Sequence, residues 1–441
     1  MSLLHRLVSQ SAVIFGARLF GAGLTFLTQA GIARFWGPGI LGEYLIFIAS
    51  TNLIAMVMPL GFQTVASYFS SEYRARGDGQ SLRAFLLRAY GHIVLVALIF
   101  GLAAWPIIGL IGEPGEVLRS HWVPTVMLSL GAAMIYVSCA VLVGLKRPIS
   151  GYFSESLFRP IVAIFAFLVC IMLRGEPGEG FSQMVWVFSL LVAAIAVGQL
   201  GIVIQTARRV PLAAEPVPSQ VRRWWRFAGP WVLIGIATDF FFDIDLLLLS
   251  GQLSREDLAI FGVCTRLFSL VSFGIAAVYA VTVPDMFEAE ANSDREGFKR
   301  KVGDANVVAV GLSLVLFLGA AIGGPFALML FGPHFEQGAL PLAVLCLVPL
   351  VRSVFGPASM VLSIHDRPYA SLPSIALGMV TLCVANFVLV PAIGLIGAAL
   401  AALISISLWS VALWRTALAA TQMDVSIFPR LRPRQPASTS A

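Results

Sequence analysis

Residues 15–50 read FGARLFGAGLTFLTQAGIARFWGPGILGEYLIFIAS. Two apolar runs flank a turn at Gly37-Pro38-Gly39, and an arginine, Arg18, lies well inside the first run. A hydrocarbon core is crossed by roughly 20 apolar residues at about 1.5 Å each, so both runs are long enough to become membrane helices. The turn between them is too short to hold a soluble domain. Gly37–Gly42 spells a literal GxGxxG, but it follows a helical run rather than a strand. Pro38 is also wrong for a phosphate-cradling loop, so the stretch reads as a helix–helix turn.

The pattern continues through the chain. Apolar spans are predicted at 10–33, 43–68, 89–111, 122–145, 151–173, 183–206, 227–250, 257–283, 303–330, 338–362, 372–391 and 394–418. Hydrophobic residues make up 58% of the 441 residues and charged residues 12%, about half the charge of a soluble domain. The mean hydropathy is +0.89. The expected fold class is an all-α polytopic membrane protein with about twelve transmembrane helices. The first run carries an internal Arg and no convincing cleavage site, and it reads as a retained span rather than a signal peptide.

The basic residues sort by alternate gaps. One side receives Arg6, Arg74, Arg76, Arg83, Arg88, Lys146, Arg147, Arg208, Arg209, Arg222, Arg223 and Arg226, then Arg295, Lys299, Arg300, Lys301, Arg367, Arg415, Arg430, Arg432 and Arg434. The other side receives Arg34, Arg119, Arg174 and Arg255. The positive-inside rule then puts both termini in the cytoplasm, which requires an even number of spans. The net charge of +6 is accounted for by short loops facing an anionic leaflet, so nucleic acid is not an expected partner. All five cysteines fall within spans and the five histidines are scattered, which implies neither a disulfide framework nor a metal site.

A weak repeat relates the halves, each of six spans, so the repeat is parallel and two like bundles around a central cavity are expected. The predicted organisation is a lobe at 1–210, a cytoplasmic linker at 211–226, a second lobe at 227–420 and a disordered tail at 421–441. No gap is long enough for a catalytic domain, and neither a catalytic residue nor a cofactor is expected.

The informative residues are the charges inside the spans. Arg18, Arg266 and Arg352 lie roughly 12–21 Å in from the predicted start of their spans. A central Arg costs at least ~2.5–3.5 kcal/mol, so it needs water, a carboxylate or an anionic ligand. Its planar fork matches phosphate oxygens. Structural ion pairs between helices are the competing reading, but three Arg over both halves fit the lining of one wet cavity better. Asp239, Asp243 and Asp245 crowd span seven. Asp239 and Asp243 are four apart on one helix face, and the set reads as ion-coupling (H+ or Na+) or charge-balancing. Glu155 and Arg159, also four apart, read as a mutually supporting pair at the cavity mouth. Gln29, Asn52, Gln63, His92 and Asn386 read as polar glue between helices. Helix breaks are expected at Pro59–Gly61, at Gly323-Gly324-Pro325, and along the series Pro341, Pro349 and Pro357.

Residues 15–50, together with GFQTVASYFSSEYRARGD (61–78), GLKRPISGYFSESLFRPIVAIF (144–165) and DIDLLLLSGQLSREDLAIFGVCTRLFSLVSFGIAAVYAVTVPDMFEAE (243–290), resemble polysaccharide-biosynthesis flippases. These are Wzx-type O-antigen transporters of the multidrug/oligosaccharidyl-lipid/polysaccharide exporter superfamily. The resemblance implies a two-lobed, V-shaped, MATE-like transporter in a bacterial inner membrane. Its implied substrate is an undecaprenyl-diphosphate-linked oligosaccharide carried to the periplasmic leaflet, with a polysaccharide polymerase and a chain-length regulator as partners. Related lipid II flippases have central cations on their first and eighth helices, a place matched by Arg18 and Arg266. They have fourteen helices, and this chain departs from them by lacking the last two. A cation-coupled multidrug or small-metabolite exporter of the same fold is the alternative, and an Arg-rich cavity counts against it.

Overall fold

The computed structural model describes residues 3–173, 177–212, 220–291, 295–365 and 367–431. Every regular element among the described residues is helical. The chain forms two compact units, Met1–Ala259 and Ile260–Ala441.

The first unit contains α1 (Leu3–Phe35), α2 (Pro38–Val57), α3 (Phe62–Arg76), α4 (Gly79–Ala103), α5 (Trp105–Ile108), α6 (Glu113–Ser120) and α7 (Trp122–Gly144). It continues with α8 (Pro148–Phe153), α9 (Arg159–Met172), α10 (Pro177–Ala207), α11 (Val221–Asp239) and α12 (Phe241–Leu249). The start of α13 (Arg255–Ala291) closes it. Helix α7 is central and packs on α2, α3, α4, α8 and α10. Its buried Gly131, Ala132 and Ala133 let neighbouring backbones approach, which is how helices associate where lipid removes the hydrophobic drive. Phe62, Phe69 and Phe85 form a fully buried aromatic centre with ring centroids 5.5 Å apart along the chain of contacts. Outward, Leu87, Leu102, Leu110 and Met172 are exposed. So much exposed apolar surface would be an association liability in water and is suited to acyl chains.

The second unit contains the body of α13, then α14 (Arg295–Met329), α15 (Ala339–Phe355), α16 (Ala358–Ile364), α17 (Leu372–Thr421) and α18 (Phe428–Leu431). Helix α17 is a hairpin in disguise. Ile393 and Gly394 leave the helical region just after Pro391, and Ser405 Oγ donates to the Gly378 carbonyl at 2.6 Å across the two arms. Predicted spans eleven and twelve are these arms.

Nine helical stretches among the described residues are long and apolar enough to cross a membrane, with both α17 arms inside one of them. Predicted spans seven and eight lie outside those nine but are helical. Span seven is divided at Phe240 into α11 and α12. Span eight lies within α13, whose 37 residues reach roughly 55 Å, beyond the ~30 Å of hydrocarbon.

The expected break at Pro59–Gly61 is present. Leu60 and Gly61 both take positive φ, 53° and 84°, and α3 leaves in a new direction. A Cβ on Gly61 would sit 2.3 Å from the Ala228 carbonyl, so only glycine lets α3 meet α11 there. Of the breaks expected along Pro341, Pro349 and Pro357, the one at Pro357 occurs, between α15 and α16, whereas α15 contains Pro341 in its first turn and runs on through Pro349. The break expected at Gly323-Gly324-Pro325 does not, because α14 runs through all three to Met329. A proline so near a helix end forfeits one hydrogen bond without stopping the helix.

The first residues of the predicted tail are packed. Met423, Val425 and Ile427 are buried, Ile427 N–H donates to the Val354 carbonyl at 3.0 Å, and Arg430 pairs with Asp304. Residues 432–441, and 213–219 of the predicted linker, lie outside the described residues.

Candidate functional site

A polar cluster forms inside the first unit where the chain cannot keep an α-helix. Pro160 has no N–H, so the Ser156 carbonyl four residues earlier loses its helical partner. The chain answers with one π-turn, Ser154–Phe158, in which Arg159 N–H bonds back five residues to Ser154. Such turns recur at functional sites because they expose backbone and redirect side chains. The freed Ser156 carbonyl lies against Gly21 of α1, where a Cβ would come within 1.8 Å of it. Glycine there brings α1 into backbone contact with the turn.

Arg18 stands one turn before Gly21. Its side chain is exposed and its guanidinium lies 4.6 Å from the centre of the Tyr152 ring on α8, a cation–π contact. Glu155, three residues beyond Tyr152 and half-buried, is within electrostatic reach of Arg159, Arg18 and Asp239. The expected Glu155–Arg159 pair is therefore electrostatic. The hydrogen bond of Arg159 goes to α2 instead, with Nη2 donating to Asn52 Oδ1 at 2.7 Å, and a second goes to Tyr136 of α7.

The three acidic residues of span seven separate. Asp239 ends α11, is exposed, and accepts from Thr238 Oγ1 at 3.3 Å. Asp243 lies in the first turn of α12, where the helix dipole favours a carboxylate, and is in electrostatic contact with Tyr136. Because α11 and α12 part at Phe240, the two do not share one continuous helix face as expected. Asp245 is fully buried.

Arg266 and Arg352 belong to the second unit. Arg266 is half-buried on α13. Arg352 is exposed in the last turn of α15, where the carbonyl end of the helix favours a cation, and is in electrostatic contact with Tyr279. Tyr279 in turn donates to Asn306 Oδ1 at 3.1 Å. Of the predicted site residues, the first unit thus assembles Arg18, Glu155, Arg159 and Asp239, with Asp243 joined through Tyr136.

Three features were missed in the sequence. Tyr152 and Tyr136 carry no pattern that separates them from lipid-facing aromatics, whereas Arg159-Pro160 inside a span was a readable sign of a disrupted turn. The other two are polar clasps holding α11 and Arg255, at the start of α13, to the first-half helices. Arg223 donates to both oxygens of Glu72 at 2.9 Å. Beside it, Trp224 Nε1 donates to Tyr73 Oη at 2.7 Å, and Tyr73 donates to Gln220 Oε1 at 2.9 Å. Burial raises the Tyr73 hydroxyl above its ordinary pKa of 10.0, keeping it a donor. At the other clasp, Arg255 bonds Glu113 at 2.6 Å and Glu43 at 3.0 Å, and His121 Nε2 lies 3.5 Å from Glu43.

The architecture is similar to that of solved transporters. A multidrug resistance MATE family transporter of the MOP superfamily, in an inward-facing conformation, aligns with a TM-score of 0.76 at 14% identity, over 95% of this chain and 96% of that one. The lipid II flippase MurJ, in an inward closed conformation, gives 0.75 at 12% identity over 93% and 88%. A mutant of the Vibrio cholerae MATE transporter VcmN gives 0.65 at 14% over 95% and 98%. No family model matches the sequence, and no curated protein matches it. At these identities the likeness establishes the fold, which is that of MATE transporters and MurJ.

Proposed function

We propose that the chain is a flippase that moves an undecaprenyl-diphosphate-linked oligosaccharide from the cytoplasmic to the periplasmic leaflet by alternating access. The oligosaccharide is a repeat unit of O-antigen, exopolysaccharide or capsule. In this reading the protein sits in a bacterial inner membrane with both termini cytoplasmic, and a polymerase and chain-length regulator receive its product. The observation that carries it is Arg18: an exposed guanidinium on a membrane helix, held on the face of Tyr152 with its N–H fork available to an anion. A diphosphate cannot cross ~30 Å of hydrocarbon unaided, and Arg offers it a bidentate, permanently charged partner. Arg266 and Arg352 are carried forward as further phosphate ligands on the second unit, and Asp239 and Asp243 as coupling or balancing carboxylates.

The fold supports transport rather than enzymatic chemistry, since the solved chains of similar fold are transporters and a flippase. Arg18→Ala in the native host should abolish surface polysaccharide while the protein still reaches the membrane in normal amount. Normal polysaccharide in a strain whose copy lacks Arg18, Arg266 and Arg352 would overturn the reading. Dye efflux from vesicles, independent of Arg18, would speak for the multidrug alternative.

A further inference from the structure

Glu155 is the charged group of this cluster that a phosphate ligand leaves without a task, and its surroundings give it one. The groups that face it can be named element by element. They are Arg18 of α1, itself held on the Tyr152 ring of α8, Arg159 of α9, Tyr136 and Cys139 of α7, and Asp239 of α11. From α10, the neighbouring polar side chain is Gln199, an uncharged amide that donates to the Ser150 and Gly151 carbonyls. Two guanidinium and two carboxylate charges make the cluster formally neutral with no substrate bound.

The two arginines are held differently. Arg159 is half-buried and bonded to Asn52 and Tyr136, so it is built into the helix packing. Arg18 is exposed and rests on an aromatic face, a contact that does not consume its N–H donors. Gly21 brings α1 into backbone contact with the turn that carries Glu155.

We infer that Glu155 is the resident anion of the site, balancing Arg18 when the protein is empty and giving Arg18 up to the diphosphate of an arriving lipid. This rests on the flippase reading and deepens it. The physical need is plain. A carrier must return empty, and an uncompensated guanidinium in the membrane interior is costly. A carboxylate on the adjacent turn supplies the counter-charge during the return and competes with product for Arg18, hastening release. Arg159 keeps its bonds to Asn52 and Tyr136 throughout and serves as the fixed charge on which Glu155 falls back.

The test measures binding of farnesyl diphosphate, a short prenyl diphosphate, to the full chain in lipid nanodiscs by calorimetry. Glu155→Gln should tighten binding ~10-fold, the size of an ordinary two-site coupling, and should slow polysaccharide export in cells because product is held. In an Arg18→Ala background the gain from Glu155→Gln should vanish. Unchanged or weaker binding by Glu155→Gln, or a gain that survives without Arg18, overturns the inference. Should Glu155→Gln fail to fold, Glu155→Asp withdraws the same charge by one methylene and should tighten binding by a smaller factor; no change there overturns it equally. Equal binding of farnesyl diphosphate to the unsubstituted and Arg18→Ala chains defeats the flippase reading itself. Arg18-dependent binding that ignores Glu155 defeats only the resident anion.

Discussion

Arg255 and Glu43 are 212 residues apart in sequence and meet at 3.0 Å, Nη1 to Oε2, on the same carboxylate that faces His121. The Arg255 backbone is drawn in too, its carbonyl lying where a Cβ on Gly42 would come within 2.2 Å. The start of α13 is thereby fastened to the start of α2. Glu43 serves two cationic or hydrogen-bonding partners, whereas Glu113 serves Arg255 alone in this group.

That asymmetry predicts unequal costs. Glu43→Ala should destabilise the protein by about 1–2 kcal/mol, and Glu113→Ala by less than about 1 kcal/mol because Arg255 is substantially exposed. Thermal unfolding in detergent at two salt concentrations measures both. Equal losses in the two variants would mean that Glu43 is not the centre of the clasp.

The approach of α1 to the π-turn predicts a sharp positional effect among glycines. Gly21→Ala places a methyl group against the Ser156 carbonyl and should cost about 1–3 kcal/mol or displace α1. Gly23→Ala, with nothing near its added carbon, should be tolerated. Comparing yield and Tm of the two variants separates a packing requirement from a general need for flexibility in α1.

Tyr73 is fully buried and stands between Trp224 and Gln220 as acceptor and donor. Tyr73→Phe keeps the ring and strands the buried Trp224 N–H, while Gln220 Oε1 still accepts from Arg223 at 3.2 Å, so a loss of about 1–3 kcal/mol is expected. Tyr90→Phe removes a single bond, to Ser138, and should cost less. A Tm for Tyr73→Phe no lower than that for Tyr90→Phe would refute the ranking.

In the second unit, fully buried Asn306 donates to the Val425 carbonyl at 2.6 Å and accepts from Tyr279. Asn306→Ala should therefore loosen the segment around Val425 before it unfolds the unit, exposing Arg430 to trypsin sooner than in the parent chain. Mass spectrometry of a limited digest gives the order of cleavage. Unchanged kinetics at Arg430 would show that other contacts, such as Ile427 to Val354, suffice alone.

Hydropathy and punctuation carried the sequence a long way. The helical class, the placement of most spans, the hairpin in α17 and the breaks at Pro59–Gly61 and Pro357 were legible, because each depends on residues adjacent in the chain, although Pro341 and Pro349 bring no break. A span is a local sum of transfer energies, and a break is a local failure of backbone hydrogen bonding. The intramembrane charges could be picked out for the same reason: a guanidinium inside an apolar run is costly wherever the run lies.

Which groups those charges meet was decided by tertiary structure. Helical spacing pairs Arg159 with Glu155, and the two do interact electrostatically, yet the hydrogen bond of Arg159 goes to Asn52, 107 residues away, which only the tertiary fold brings within reach. Helical spacing puts Asp239 and Asp243 on one face, but the chain bends at Phe240 and sets them on separate helices. Periodicity tells which residues share a face of one helix. It cannot tell which two faces pack together, since that choice is made by the fit of small and large side chains across the whole unit.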